Sequence, residues 1–175
     1  MAILGVDDFK SKLRGGGARP NLFQVTINYP GFANGDAELT SFLVEAAELP
    51  GSVMGQIPVP FRGRILKMAG DRTFPEWTTT IINDTDFAIR NAIERWMNGM
   101  NAHSANTGLS TPIAYEADLK VDQLDRAGTV IKTYNFIGAY PQDLAPIPLA
   151  YGDNDTIERF ACTWSYQYWT SDTTS

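Results

Sequence analysis

The chain has 175 residues, 43% hydrophobic and 11% aromatic, which suits one domain with a true core and excludes a disordered composition. Twenty Asp and Glu against 14 Lys and Arg leave a net charge of −6, which disfavours nucleic acid and anionic membranes as binding partners. One cysteine, Cys162, excludes an internal disulfide; one histidine, His103, excludes a multi-histidine metal site.

Charged residues make up only 19%, below the roughly 25% of an average soluble protein. That suits a surface covered by other subunits, and equally an extracellular binding domain. No apolar run approaches the roughly 20 residues needed to cross a bilayer. Residues 1–8 have no basic start and too short an apolar stretch for a secretory signal, so cytoplasmic synthesis is expected. The Asn-Asp-Thr sequons at Asn83 and Asn154 are then chance matches.

Residues 1–17 read as a mobile arm and residues 18–175 as one β-rich domain. Within the arm, residues 7–14 form a short helix with Phe9 and Leu13 on one face. Gly15-Gly16-Gly17 breaks it, because three glycines carry a large entropy cost in any regular element. The single Arg14-Gly15-Gly16 is read as hinge rather than RNA-binding tail.

Phe23, Val25, Ile27 and Tyr29 alternate with Gln24, Thr26 and Asn28, which predicts a strand ending at Pro30-Gly31. Residues 39–48 predict a second strand. Residues 50–60 hold Pro50, Pro58 and Pro60 and predict a long loop or an irregular hairpin, since proline donates nothing to a ladder. Residues 61–68 and 74–82 predict the third and fourth strands. Asp71-Arg72 is read as a turn between them.

Ile89, Ile93, Trp96, Met97 and Met100 lie on one helical face, with Asp84 or Thr85 as N-cap. This apolar stripe is read as core. After a polar loop, Ala117, Leu119 and Val121 oppose Glu116, Asp118, Lys120 and Asp122 on an alternating strand. A turn at 125–128 returns the chain through residues 130–137, followed by a proline-rich connection over 141–148. The last strand, 157–169, sets Phe160, Cys162, Trp164, Tyr166 and Tyr168 on its apolar side, with Cys162 a buried small residue.

About seven strands and one helix give a mainly β fold, an antiparallel sandwich or half-barrel with the helix packed on it. No catalytic motif stands out. Asp153, Asp155 and Glu158 are the best metal candidates, but a turn before a strand explains them as well. His103 sits in a polar loop without a triad, and no nucleophile elbow, phosphate loop or dinucleotide fingerprint occurs. The chain is read as a non-enzyme without cofactor.

Five ordered segments carry a resemblance. Residues 18–25, Ala-Arg-Pro-Asn-Leu-Phe-Gln-Val, stand upstream of Leu49-Pro50-Gly51 and Ile57-Pro58-Val59-Pro60. Ala69-Gly70-Asp71-Arg72-Thr73-Phe74 follows, and the helix ends in Glu94-Arg95-Trp96. In this order they resemble the tail tube proteins of T-even-like contractile-tailed bacteriophages, most specifically at Arg19, Pro20, Asn21, Gly70, Asp71, Arg72, Thr73 and Phe74. Residues 31–38 and 141–148 look longer than, or different from, the corresponding loops of that pattern.

The resemblance implies a subunit that forms six-membered rings, with neighbouring strands joined into one barrel around a channel. Rings stack into a tube inside a sheath; the tube holds a tape measure protein and later conducts DNA as non-specific cargo. Baseplate, tail terminator and sheath proteins are the implied partners, and the virion tail the implied location. Glu116, Asp118, Lys120 and Asp122 are expected to line the channel. Ile3, Leu4, Phe9, Val53, Met54 and Ile57 are expected to serve ring stacking. Two alternatives stay open: the tube of a contractile injection system or bacteriocin delivering protein effectors, and a monomeric β-barrel that binds a ligand.

Overall fold

The computed structural model describes residues 5–174. Its main body is one antiparallel sheet built from β1 (Phe23–Ile27), β2 (Val44–Ala47), β5 (Trp77–Ile82), β6 (Ala117–Leu124), β7 (Val130–Leu144), β8 (Arg159–Ser165) and β9 (Tyr168–Ser171). The order is β1-β6-β7-β8-β5-β2, with β9 continuing the path of β8 along β7. The sheet curls into an open half-barrel around α3 (Ala88–Met100), whose Ile89, Ala92, Ile93 and Trp96 are buried against it.

The curl depends on β7. Its first part pairs with β6 and β9, its last part with β8. Between them Gly138 takes a positive φ of 63°, and a Cβ there would lie 2.9 Å from both Gln167 and Glu116 side-chain atoms. Only glycine meets both demands. The strand therefore does not stop at Ile137, as expected, but bends and runs on to Leu144. Pro141 lies within it, next to a register shift.

The apolar face of the sheet is Val25, Ile27, Leu119, Val121, Phe136, Phe160, Cys162 and Trp164. The alternation read from the sequence holds in β1 and β8, and in β6 as far as Val121. Aromatic rings join the layers: Trp77 stacks on Phe136 at 4.3 Å, and Trp96 meets Trp164 at 5.6 Å. Each of the four indole N–H groups has an acceptor, as burial of such rings requires. The path of β8 breaks at Tyr166-Gln167, where the Gln167 N–H bonds to the Ile137 carbonyl, and Tyr168 turns outward instead of joining the apolar side.

Residues 39–48 are not one strand. They form α2 (Ala37–Leu43) and then β2. The Asp36 carboxylate caps α2 by accepting from the Glu38 and Leu39 N–H groups at 2.9 and 3.0 Å. Leu39 and Leu43 then meet the core one turn apart, while the Tyr29 and buried Thr40 hydroxyls bond at 2.9 Å. A short apolar run fits either period, and the cap decides it.

Residues 50–60 are not a loop. Here β3 (Val53–Phe61) and β4 (Arg64–Thr73) make a separate two-stranded sheet. Arg62 and Gly63 both have positive φ, 46° and 81°, and form a two-residue turn of the primed kind. The expected strand over 61–68 thus contains the turn, and Asp71-Arg72 lies inside β4 rather than at a turn. Pro58 and Pro60 are two apart, so both can occupy positions whose N–H would face away from β4. They cost the ladder nothing and remove two donors from its open edge.

Candidate assembly surfaces

The outer face of the β1-β6-β7-β9 half is polar. Cross-strand partners place Gln24 beside Asp122, Thr26 beside Lys120, Lys120 beside Asn135, and Asn135 beside Thr170. Three of the four residues expected in a channel wall are open to this face. Asp118 is exposed, with Oδ1 accepting from the Gly138 N–H at 3.1 Å; Glu116 is half-buried and accepts from Gln167 at 3.1 Å; Lys120 is half-buried.

Asp122 is different. It is only 3% exposed and holds Lys120 Nζ at 2.7 Å and the Thr133 hydroxyl at 2.6 Å. Its charge is matched within the subunit, so it braces Lys120 and adds no free carboxylate to the face. Alternation places a residue on a face, but only cross-strand neighbours decide whether it reaches solvent.

The hairpin β3–β4 stands off the body and is exposed along nearly its whole length. Register puts Ile57 opposite Met68, Val59 opposite Leu66 and Phe61 opposite Arg64. One face is therefore apolar up to the tip, with Ile57 51% and Phe61 66% exposed. Val53 and Met54, also expected to serve stacking, are exposed near the root. Phe61, Leu66 and Met68 complete this face and escape a sequence reading that treats 50–60 as loop. Two isolated strands are marginal in water, so such a face calls for a partner.

Two indoles hold the root. Trp77 Nε1 donates to the Glu48 carbonyl at 2.6 Å, and Trp169 Nε1 to the Gly51 carbonyl at 2.9 Å. On the return strand, Phe74 packs against Tyr166 and Trp169, and the Tyr166 hydroxyl donates to the Pro75 carbonyl at 2.7 Å. Gly55 and Gly70 cross at a bulge, where a Cβ on Gly70 would lie 3.1 Å from Gly55 backbone. Gly70, Asp71, Arg72 and Thr73 thus belong to the hairpin, while Phe74 anchors it.

The arm contains α1 (Val6–Lys12), which buries none of its residues. Phe9 is 65% exposed. Ile3 and Leu4 lie outside the described residues. Gly15, Gly16 and Gly17 all have positive φ, a run only glycine adopts cheaply. Arg19, Pro20 and Asn21 then turn the chain into β1, and Gln123 Nε2 pins the turn by donating to the Arg19 and Leu22 carbonyls at 2.7 and 2.6 Å.

Among the described residues, the candidates for chemistry do not form a site. Burial pushes the Cys162 thiol well above its ordinary value, so it is no thiolate nucleophile. Among the described residues, Asp153, Asp155 and Glu158 do not come together as a metal-holding group. The concave side of the sheet is filled by α3 and aromatic rings, not hollowed for a ligand. Among the described residues no helix is long and apolar enough to cross a membrane.

A packed half-barrel with a projecting apolar hairpin, an unburied arm helix and a polar outer sheet has the geometry of a subunit that assembles. Residues 18–172 match the family model described as phage tail tube protein. The tail tube protein gp19 of Enterobacteria phage T4 is 33% identical over 166 residues, covering 94% of this chain and 98% of that protein. The tail tube protein of Serratia phage KSP90 is also 33% identical, covering 92% and 93%. The chain belongs to the phage tail tube protein family, whose members are structural proteins.

Solved structures share the fold. The cap of the anti-feeding prophage aligns with a TM-score of 0.65 at 21% identity, covering 90% of this chain and 91% of that one. The sheath-tube complex of an extracellular contractile injection system in its extended state aligns at 0.63 and 15% identity, covering 96% and 97%.

Proposed function

We propose that this chain is the repeating subunit of a contractile tail tube, six copies closing a ring and rings stacking around a channel. The observation that carries the reading is the hairpin, a rigidly rooted element whose apolar face has no cover in its own subunit. Among the described residues, β1, β2 and β9 are each paired on one side only. Strands of neighbouring copies meeting there would satisfy the open backbone groups, and ring closure would remove every edge.

On this reading the polar face with Glu116, Asp118 and Lys120, braced by Asp122, lines the channel. The arm with Ile3, Leu4 and Phe9 and the hairpin with Val53, Met54 and Ile57 make ring-to-ring contacts. The channel holds a tape measure protein and later passes DNA without gripping it. Sheath, baseplate and tail terminator proteins cover the outside and the ends, and assembly takes place in the host cytoplasm before the tube joins the virion. The likeness to injection-system tubes supports a second reading, with protein effectors as cargo. Size-exclusion chromatography with negative-stain microscopy tests the assembly: hexameric rings and tubes are expected. A strict monomer at high concentration in several salts would overturn it.

A further inference from the structure

Charge is divided unevenly along this chain. The hairpin, residues 53–73, carries Arg62, Arg64, Lys67 and Arg72 against the single carboxylate of Asp71. Among the described residues none of these four cations makes an ion pair or side-chain hydrogen bond; Arg62 only lies over the Phe61 ring, 5.3 Å from its centre. Most body cations differ, Arg19 and Arg126 being without such a partner among the described residues. Arg90 pairs with Glu94, Arg159 with Glu45 and Lys120 with Asp122, and Arg95 donates to the Ala33 and Asn34 carbonyls.

The opposite charge sits at the opposite end of the sheet. The hairpin leaves the body where β2 ends and β5 begins, beside the Trp77–Trp164 pair. The far end of β5 is the Ile82–Arg159 pair, six residues or roughly 17–20 Å away. Two loops meet there, 83–87 and 145–158, with five carboxylates (Asp84, Asp86, Asp153, Asp155, Glu158) and no cation. They share a recess of about 340 Å³ lined by Asn83, Asp84, Phe87, Ile157 and Glu158.

That end also offers apolar contact and an unmet acceptor. Phe87, Leu149, Tyr151 and Ile157 are exposed on it. Asn83 is nine-tenths buried and donates to Glu158 at 2.8 Å, while its Oδ1 finds no donor among the described residues. An acidic surface with exposed apolar groups complements a hairpin that is basic and apolar and whose cations have no ion-pair partner among the described residues.

We propose that the basic hairpin of one copy docks on the acidic loops 83–87 and 145–158 of a second copy. Because donor and acceptor lie at opposite ends of the subunit, the contact is heterologous and propagates head to tail. The proposal rests on the stacked-tube reading and adds its acceptor surface and its chemistry. Charge sets the polarity of stacking, since hairpin against hairpin would oppose like charges.

Charge reversal tests it. A hairpin variant (Arg62→Glu, Arg64→Glu, Lys67→Glu, Arg72→Glu) and a loop variant (Asp86→Lys, Asp153→Lys, Asp155→Lys) are each expected to form rings while pelletable tube falls at least tenfold. The chain carrying all seven changes is expected to regain tubes, which no general loss of stability would produce. In wild-type tubes of mixed isotopic label, a carbodiimide is expected to join Lys67 of one copy to Asp86, Asp153 or Asp155 of another. Unchanged tubes in either variant, or Lys67 cross-links to other carboxylates only, overturn the docking. Wild-type protein that makes neither rings nor tubes overturns the tube reading instead.

Discussion

Trp169 Nε1 donates to the carbonyl of Gly51 at 2.9 Å, joining the last strand to the start of the hairpin across 118 residues of chain. The same indole packs edge-on to Tyr134 and Phe74 at 5.4 and 6.3 Å. A sheet that otherwise touches the body little is thereby fixed in direction.

Trp169→Phe keeps most of the ring packing and loses the bond. Stability should fall by about 0.5–1.5 kcal/mol, the usual net worth of one such bond. The larger change should be local: amide exchange in residues 53–73 should speed up while α3 stays protected. Hydrogen-exchange mass spectrometry checks this, and equal loss of protection in both elements would contradict a root-specific role.

The body should fail at alkaline pH. Burial raises the Tyr29 phenol above 10.0 and the Cys162 thiol above 9.0, their ordinary values, and raises Tyr166 as well. For each, the folded state favours the protonated form, so its contribution is complete below the unfolded value and is lost as pH rises. Stability should fall from about pH 9 as Cys162 begins to titrate in the unfolded chain, and more steeply above about 10, with a limit near 1.4 kcal/mol per pH step for each group. Urea titrations from pH 7 to 11 check the slope, and Cys162→Ala should flatten the part between 9 and 10.

Where residues answer to the subunit's own core, the sequence was legible. The stripe Ile89, Ile93, Trp96 follows the helical period because all three face one sheet, and Leu119 and Val121 alternate for the same reason. The hairpin was not, because its register answers to a turn and, on the reading above, to another copy. Two prolines read as loop, although their spacing of two lets both N–H positions face away from the partner strand. The continuation of β7 hides in Gly138, whose need for positive φ follows from Gln167 and Glu116, distant in sequence. Asp122 has the spacing of a surface residue and is buried by Lys120 and Thr133, which spacing alone does not report.

Deleting residues 1–14 should leave a folded subunit that no longer makes long tubes. The described part of this segment buries no side chain in the body and is joined through three glycines at positive φ, so the core loses nothing. Each apolar side chain covered at a ring contact contributes roughly 1.5–3 kcal/mol, repeated around the ring. Thermal unfolding within a degree or two of the full chain, together with short stacks by microscopy, is the expected pair of results. Tubes of normal length would assign the arm another role.

On the proposed channel reading, the polar face of β6 should tolerate charge change at Glu116 and Asp118 but not at Asp122. The first two have solvent on one side; the third is packed against Lys120 Nζ at 2.7 Å, and a lysine there would bury like charges together. Glu116→Lys with Asp118→Lys should therefore fold and assemble. Among the described residues their carboxylates accept only from Gln167 Nε2 and the Gly138 backbone N–H, bonds lost at modest cost because water reaches both sites. The wall would change from acidic to basic in every subunit and would gather phosphates as an acidic wall does not. Screening over about 8–10 Å confines the effect to DNA close to the wall. Ejection from particles carrying the double variant should slow, and slow most at low salt. Asp122→Lys should instead lower subunit stability by about 3–5 kcal/mol, as breaking a buried pair does. Normal ejection by the double variant at every salt concentration would remove this face from the channel and leave it on the outer wall.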